Sequence, residues 1–174
     1  MLRHFFSYLL VLLLVGCTVT PEPLSHTKIE ALSTLLKLQN TIPRNERLNL
    51  ARALYARTQE LTEKFELTSP PIWHNTLVNI GIKRQGLCYH WSDALYLGLN
   101  KKSYPHYDFY LVGANIGEYF TEHNALLITV KGADISEGII IDGWRDSGRL
   151  YTARVKDDTE YQWVERKVYF PTQL

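Results

Sequence analysis

Arg84-Gln85-Gly86-Leu87-Cys88-Tyr89-His90-Trp91-Ser92-Asp93-Ala94-Leu95 joins a glycine-containing loop to a segment whose apolar residues recur with helical period. Cys88, Trp91 and Leu95 stand at i, i+3 and i+7 with Ala94 beside them, which predicts a helix with one buried face. Cys88 then falls in the first turn, where backbone N–H groups are free and the helix dipole is positive. That setting favours the thiolate of a cysteine, and the thiolate is the nucleophilic form. By position alone, a cysteine on an apolar helix face reads first as a small core residue. The surrounding chain has to supply reasons to read it otherwise.

Upstream, the apolar pattern is helical. Thr27-x-x-Glu30 reads as a capping box, followed by Ile29, Leu32, Leu35 and Leu36 on one face and a stop at Asn40-Thr41. Pro43 suits the first turn of a longer helix, in which Leu48, Ala51, Leu54, Tyr55, Thr58, Leu61 and Phe65 form the buried stripe. Ser69-Pro70-Pro71 ends it. Residues 72–86 fit either a helix or a buried irregular segment. The Cys88 helix is expected to end near Leu99, with a turn at Asn100-Lys101-Lys102.

Downstream, the period changes to two. Tyr107 to Val112 is β-rich. His123 to Val130 alternates, with His123, Ala125, Leu127 and Thr129 on one face and Asn124, Leu126, Ile128 and Val130 on the other. Ile139 to Asp142 reads as a short buried strand, and Leu150 to Val155 and Tyr161 to Phe170 as further strands, with turns at Asp146-Ser147-Gly148 and Lys156-Asp157-Asp158. Helices followed by an antiparallel sheet make an α+β fold.

The first sixteen residues stand apart. Arg3 precedes an unbroken apolar run from Leu9 to Val15, too short to span a membrane as a mature helix, so residues 1–16 read as a signal peptide. Leu14-Val15-Gly16-Cys17 resembles the lipobox of bacterial lipoproteins. The resemblance implies cleavage before Cys17 and acylation of that residue. With Thr rather than Asp at position 18, it implies, in enteric-type bacteria, an outer-membrane anchor facing the periplasm. Residues 17–26, with Pro21 and Pro23, then read as an extended tether. Residues 27–174 read as one domain with a helical part, 27–99, and a sheet part, 105–174. With Cys17 taken by lipid, Cys88 has no partner for a disulfide. A lone thiol in an oxidising compartment is either buried or kept for its reactivity.

The chain has 19 Lys+Arg and 18 Asp+Glu, and Arg3 leaves with the leader. The balance and the absence of a basic run give nucleic-acid binding no electrostatic support. There is no Gly-rich phosphate loop. His90 and Asp93, at i and i+3, read as a surface pair rather than as metal ligands, and no metal or other cofactor is expected.

A nucleophilic cysteine needs a base, and the base needs an orienting group. His90 shares the Cys88 helix but points to another face. His26 lies in the tether, and His74 and His106 sit in Pro-flanked loops without an evident acid partner. His123 opens a strand just after Glu118-Tyr-Phe-Thr-Glu122, and Asp142 closes the strand expected to pair with it. A connection centred between Gly132 and Ala133 sets the two directly opposite, provided that Asp134 to Gly138 holds an irregularity. Taken singly, His123 also reads as a strand-edge histidine and Asp142 as a turn acid.

The ordered set Cys88, His123 and Asp142, on helix start, strand start and strand end, resembles the transglutaminase-like superfamily of cysteine enzymes, related to the papain-like clan, over roughly residues 80–145. The resemblance implies acyl transfer from an amide through a Cys88 thioester, to water as in a peptidase or amidase, or to an amine. The implied partner is a peptide, a protein or a peptidoglycan stem. Asn124 departs from the aromatic or small residue that many relatives carry after the histidine. For the oxyanion, the Cys88 N–H and the Gln85 side chain are the candidates. The alternative reading is a catalytically inactive binding or structural lipoprotein of the same fold.

Overall fold

The computed structural model describes residues 17–100 and 104–166. The expected signal peptide, the turn at 101–102 and the distal part of the last expected strand, 167–170, lie outside the described residues. The described elements are β1 (Cys17–Thr18), α1 (His26–Leu35), α2 (Arg44–Lys64), β2 (Thr68–Ser69), α3 (Pro71–Asn79), α4 (Cys88–Asn100), β3 (Tyr107–Ala114), β4 (His123–Val130), β5 (Ile139–Asp146), β6 (Arg149–Arg154) and β7 (Val164–Glu165). Two 3₁₀ turns, Ile135–Glu137 and Val155–Asp157, flank β5 and β6. Strands β3 to β7 form an antiparallel sheet in the order β6-β5-β4-β3-β7, and β1 pairs with β2 separately. The architecture is α+β.

The alternation along β4 and β5 sorts their side chains onto two faces. Leu126, Ile128, Ile139 and Ile141 face the helices and share a core with Leu50, Leu54 and Leu61 of α2 and Trp91 and Leu95 of α4. Ala125, Leu127 and Ile140 face the other way, against Val112 and Trp163. The stripe read from the sequence is buried except at Tyr55, which is partly exposed, and Leu54 and Leu61 are fully inaccessible. Helix α4 lies close on β5 because position 143 is glycine. A Cβ there would run into the Trp91 ring.

Several expected boundaries move. The cap of α1 is Ser25, whose hydroxyl accepts from the Lys28 N–H at 3.5 Å, so the helix starts before the Thr27 capping box and ends at Leu35. The ambiguous stretch after Pro70 begins as helix α3 and continues as turns and bends to Leu87. The segment expected to be a tether is docked instead. Cys17 and Thr18 pair with Ser69 and Thr68, the Val19 N–H donates to the Leu67 carbonyl at 2.9 Å, and Glu22 is paired with Lys28 and Arg149.

Register is the main correction. β4 meets β5 through Leu126–Ile141, Leu127–Ile140 and Ile128–Ile139. Continued by one pair, this sets Asp142 opposite Ala125, two residues along from His123. The irregularity expected between Asp134 and Gly138 is the first 3₁₀ turn, capped by Asp134 accepting from the Ser136 N–H at 2.9 Å. A shift of two leaves every side chain on its original face, because the side-chain period of a strand is two.

Candidate functional site

Cys88 is the first residue of α4 and is partly exposed. The loop before it is braced by two histidines. The His74 ring is buried; its Nδ1 accepts from the Thr68 N–H at 3.2 Å, so its Nε2–H donates to the Gln85 carbonyl at 2.9 Å. Gly86 has φ +121, and a Cβ there would fall on the His74 ring, so only glycine fits. His90 folds back along the loop, where its Nδ1 accepts from the N–H groups of Gly86 and Leu87, both at 3.2 Å. Burial and the neighbouring His74 push the His90 pKa down to about 4, so the ring stays a neutral acceptor. Burial likewise lowers the His74 pKa. Neither ring is free to act as a base, and both hold the helix start in place.

The Cys88 sulfur lies against the entry of β4, 4.0 Å from the Glu122 carbonyl and 3.6 Å from the Asn124 side-chain nitrogen. His123, on that entry, is buried, with its ring packed among Trp144, Tyr161 and Trp163 at centroid distances of 4.9, 4.7 and 5.5 Å. Its Nε2 meets Asp142 Oδ2 at 2.7 Å. Its Nδ1 is buried and meets no partner in full hydrogen-bond geometry. With Nε2 taken by Asp142, Nδ1 is the ring nitrogen left without a hydrogen bond. Burial alone would lower the His123 pKa, but the Asp142 hydrogen bond and the interaction with Cys88 outweigh it and raise the pKa to about 9.

Asp142 is buried, and burial on its own would push its carboxyl up. The His123 hydrogen bond and Arg145 reverse this and hold it below the usual range. Its Oδ1 accepts from the main-chain N–H of Trp144 at 2.9 Å and of Arg145 at 3.1 Å, and its Oδ2 also accepts from Arg145 Nε at 3.1 Å. Arg145 in turn grips both oxygens of Asp158 at 3.0 Å each, and its guanidinium lies 3.9 Å from the centre of the Tyr151 ring. The Trp163 indole N–H donates to Asp158 at 3.0 Å and its ring returns to His123. The contacts close on themselves: His123, Asp142, Arg145, Asp158 and Trp163.

The structure therefore joins His123 to Asp142 and sets Cys88 against Glu122 and Asn124, the two residues that flank His123. The Gln85 carbonyl accepts from His74, and no hydrogen bond from the Gln85 side chain to Cys88 occurs among the described residues. Cys17 is exposed, with its backbone in the β1–β2 pair. Two other readings change. His106 has an acid partner after all, Glu46 at 2.6 Å. His90 and Asp93 are not a surface pair, because Asp93 is buried and bound by Arg166. No cluster of three His, Cys, Asp or Glu able to hold a metal occurs among the described residues.

Sequence reading missed Arg145, Asp158 and Trp163. Their one legible signal was the run Asp142-Gly-Trp-Arg145, an arginine three residues after the acid. It had no visible partner until the chain around β6 brought Asp158 to it. No protein-family model matches the chain, and no curated protein or solved structure is detectably similar to it.

Proposed function

We propose that this chain is a thiol-dependent amide hydrolase or acyltransferase with a transglutaminase-like domain. It would be anchored through lipidated Cys17 to the periplasmic face of a bacterial outer membrane. The observation that carries the reading is the buried 2.7 Å contact between His123 and Asp142, with the other imidazole nitrogen left without a hydrogen bond and Cys88 among the groups that raise the pKa of the ring. The substrate class is an amide of a peptide, a protein or a peptidoglycan stem.

The chemistry follows from the roles available. The attacking form of Cys88 is the thiolate, and the protonated His123 imidazole, with a pKa of about 9, is the acid paired with it. The Cys88 sulfur adds to the substrate carbonyl, forming the S–C bond as the carbonyl pair moves to oxygen. The Cys88 N–H, at the start of α4, faces that developing charge. His123 passes its proton to the departing amine as the C–N bond breaks, leaving a thioester. Water or an amine then adds, giving its proton to His123, and the S–C bond breaks. Asp142 keeps the imidazole in orientation throughout.

The test uses mature protein with Cys17→Ser, so that Cys88 is the one thiol. Iodoacetamide should label native Cys88 readily at pH 6–7, with labelling slowed strongly by His123→Ala and less by Asp142→Asn. Labelling that requires denaturant would make Cys88 a core residue and the protein an inactive scaffold. Labelling indifferent to His123 would mean that the three residues do not work as a unit.

A further inference from the structure

We infer that the side-chain amide of Asn124 is an oxyanion donor of this site, an inference that rests on the thiol chemistry proposed above. Asn124 follows His123 on β4 but faces the α4 side, and it is buried. Its Nδ2 lies 3.6 Å from Cys88 Sγ and 3.2 Å from Glu122 Oε1. An ionised carboxylate only accepts, so Glu122 fixes which end of the amide points toward Cys88: the nitrogen, with its two hydrogens. One serves Glu122 and the other is directed at the sulfur. Glu122 is itself held, its Oε2 accepting from the Gly117 N–H at 2.8 Å.

The far end of the same amide marks the cost of this arrangement. Asn124 Oδ1 is buried and has no hydrogen-bond partner. An unsatisfied buried acceptor destabilises a fold, and an apolar residue would fill this position on the helix-facing side of β4 without that penalty. Amide polarity here is explained by what the nitrogen does at Cys88.

When the sulfur adds to a carbonyl, negative charge appears on an oxygen two bonds away. An N–H already aimed at the sulfur can transfer its hydrogen bond to that oxygen without moving the backbone. No proton leaves Asn124. It gives the second donor beside the Cys88 N–H, the role that the sequence had offered to Gln85.

Alkylation and acylation separate this role from thiolate formation. Iodoacetamide is displaced by the thiolate without forming an oxyanion, whereas p-nitrophenyl acetate acylates through one. In the Cys17→Ser protein, Asn124→Ala and the volume-preserving Asn124→Leu should slow acylation of Cys88 by about 100- to 1000-fold, while alkylation, which loses only the hydrogen bond to the sulfur, slows far less. Glu122→Gln, at an exposed position, should slow acylation less, in the same direction and again more than it slows alkylation. Equal loss in both reactions, or loss in neither, would overturn the assignment. If the parent protein alkylates but never acylates, the proposed function itself fails. If the parent acylates and the Asn124 variants match it, this inference alone fails.

Discussion

Arg145 ties Asp142 to Asp158: its Nε donates to one carboxylate at 3.1 Å and its two terminal nitrogens hold both oxygens of the other at 3.0 Å. Both acids are almost wholly buried, and the arginine is the cation between them. The His123–Asp142 contact thus depends on a residue that touches neither Cys88 nor His123 in any described hydrogen bond.

Replacing Arg145 by methionine keeps an unbranched apolar stem and removes the guanidinium with its charge. It removes the cation shared by two buried carboxylates, which should cost about 3–5 kcal/mol in urea unfolding. Arg145→Lys should recover part of this, because lysine supplies charge without the two-pronged grip. A loss below about 0.5 kcal/mol for the methionine variant would mean that Asp158 and Asp142 are solvated rather than bridged.

Stability should peak near pH 6.5 and fall on both sides for different reasons. His123 titrates at about 9 when folded against about 6.5 when unfolded, so its contribution is full below pH 6.5 and is lost as pH rises through 9. His90 titrates at about 4 when folded, so its contribution is full above pH 6.5 and is lost as pH falls toward 4. Urea midpoints measured at pH 5, 6.5 and 9 should show both limbs. His123→Gln should flatten the alkaline limb alone and His90→Asn the acid limb alone. A wild-type midpoint that rises from pH 6.5 to 9 would show that the buried imidazolium pair does not form.

Leu61 is fully inaccessible in the core between α2 and the sheet. Leu61→Ala should destabilise by about 2–5 kcal/mol, and the measurement is the shift in unfolding free energy at constant urea slope. A change of surface-site size would mean that α2 is detached from the sheet in solution.

Cys17 should carry the lipid. Protein produced in a Gram-negative host should take up a fatty-acid probe and sediment with membranes, and Cys17→Ser should do neither. A Cys17→Ser protein that is still labelled and membrane-bound would exclude this site. Because Cys17 is hydrogen-bonded to the domain next to Ser69, the acyl chains would leave directly from the folded surface.

The sequence by itself determined the α+β division, because a 3.6-residue apolar period before Leu99 and a two-residue period after Tyr107 cannot be buried by the same kind of element. It also led to the expectation that His123 and Asp142 share a face. The expected register was two residues off, and the pair still met, since a shift of two preserves the face and a side chain bridges the diagonal. Tertiary structure decided what no period encodes. Asp158 reaches Arg145 through the turn after β6, and His74 reaches the Gln85 carbonyl across a bend. Asn124, read as a departure from a pattern, faces Cys88 because α4 covers the Leu126 side of β4. Local sequence carries periodicity and turn chemistry; contacts between side chains distant along the chain depend on how the faces close on each other, and that is set by the whole packed core.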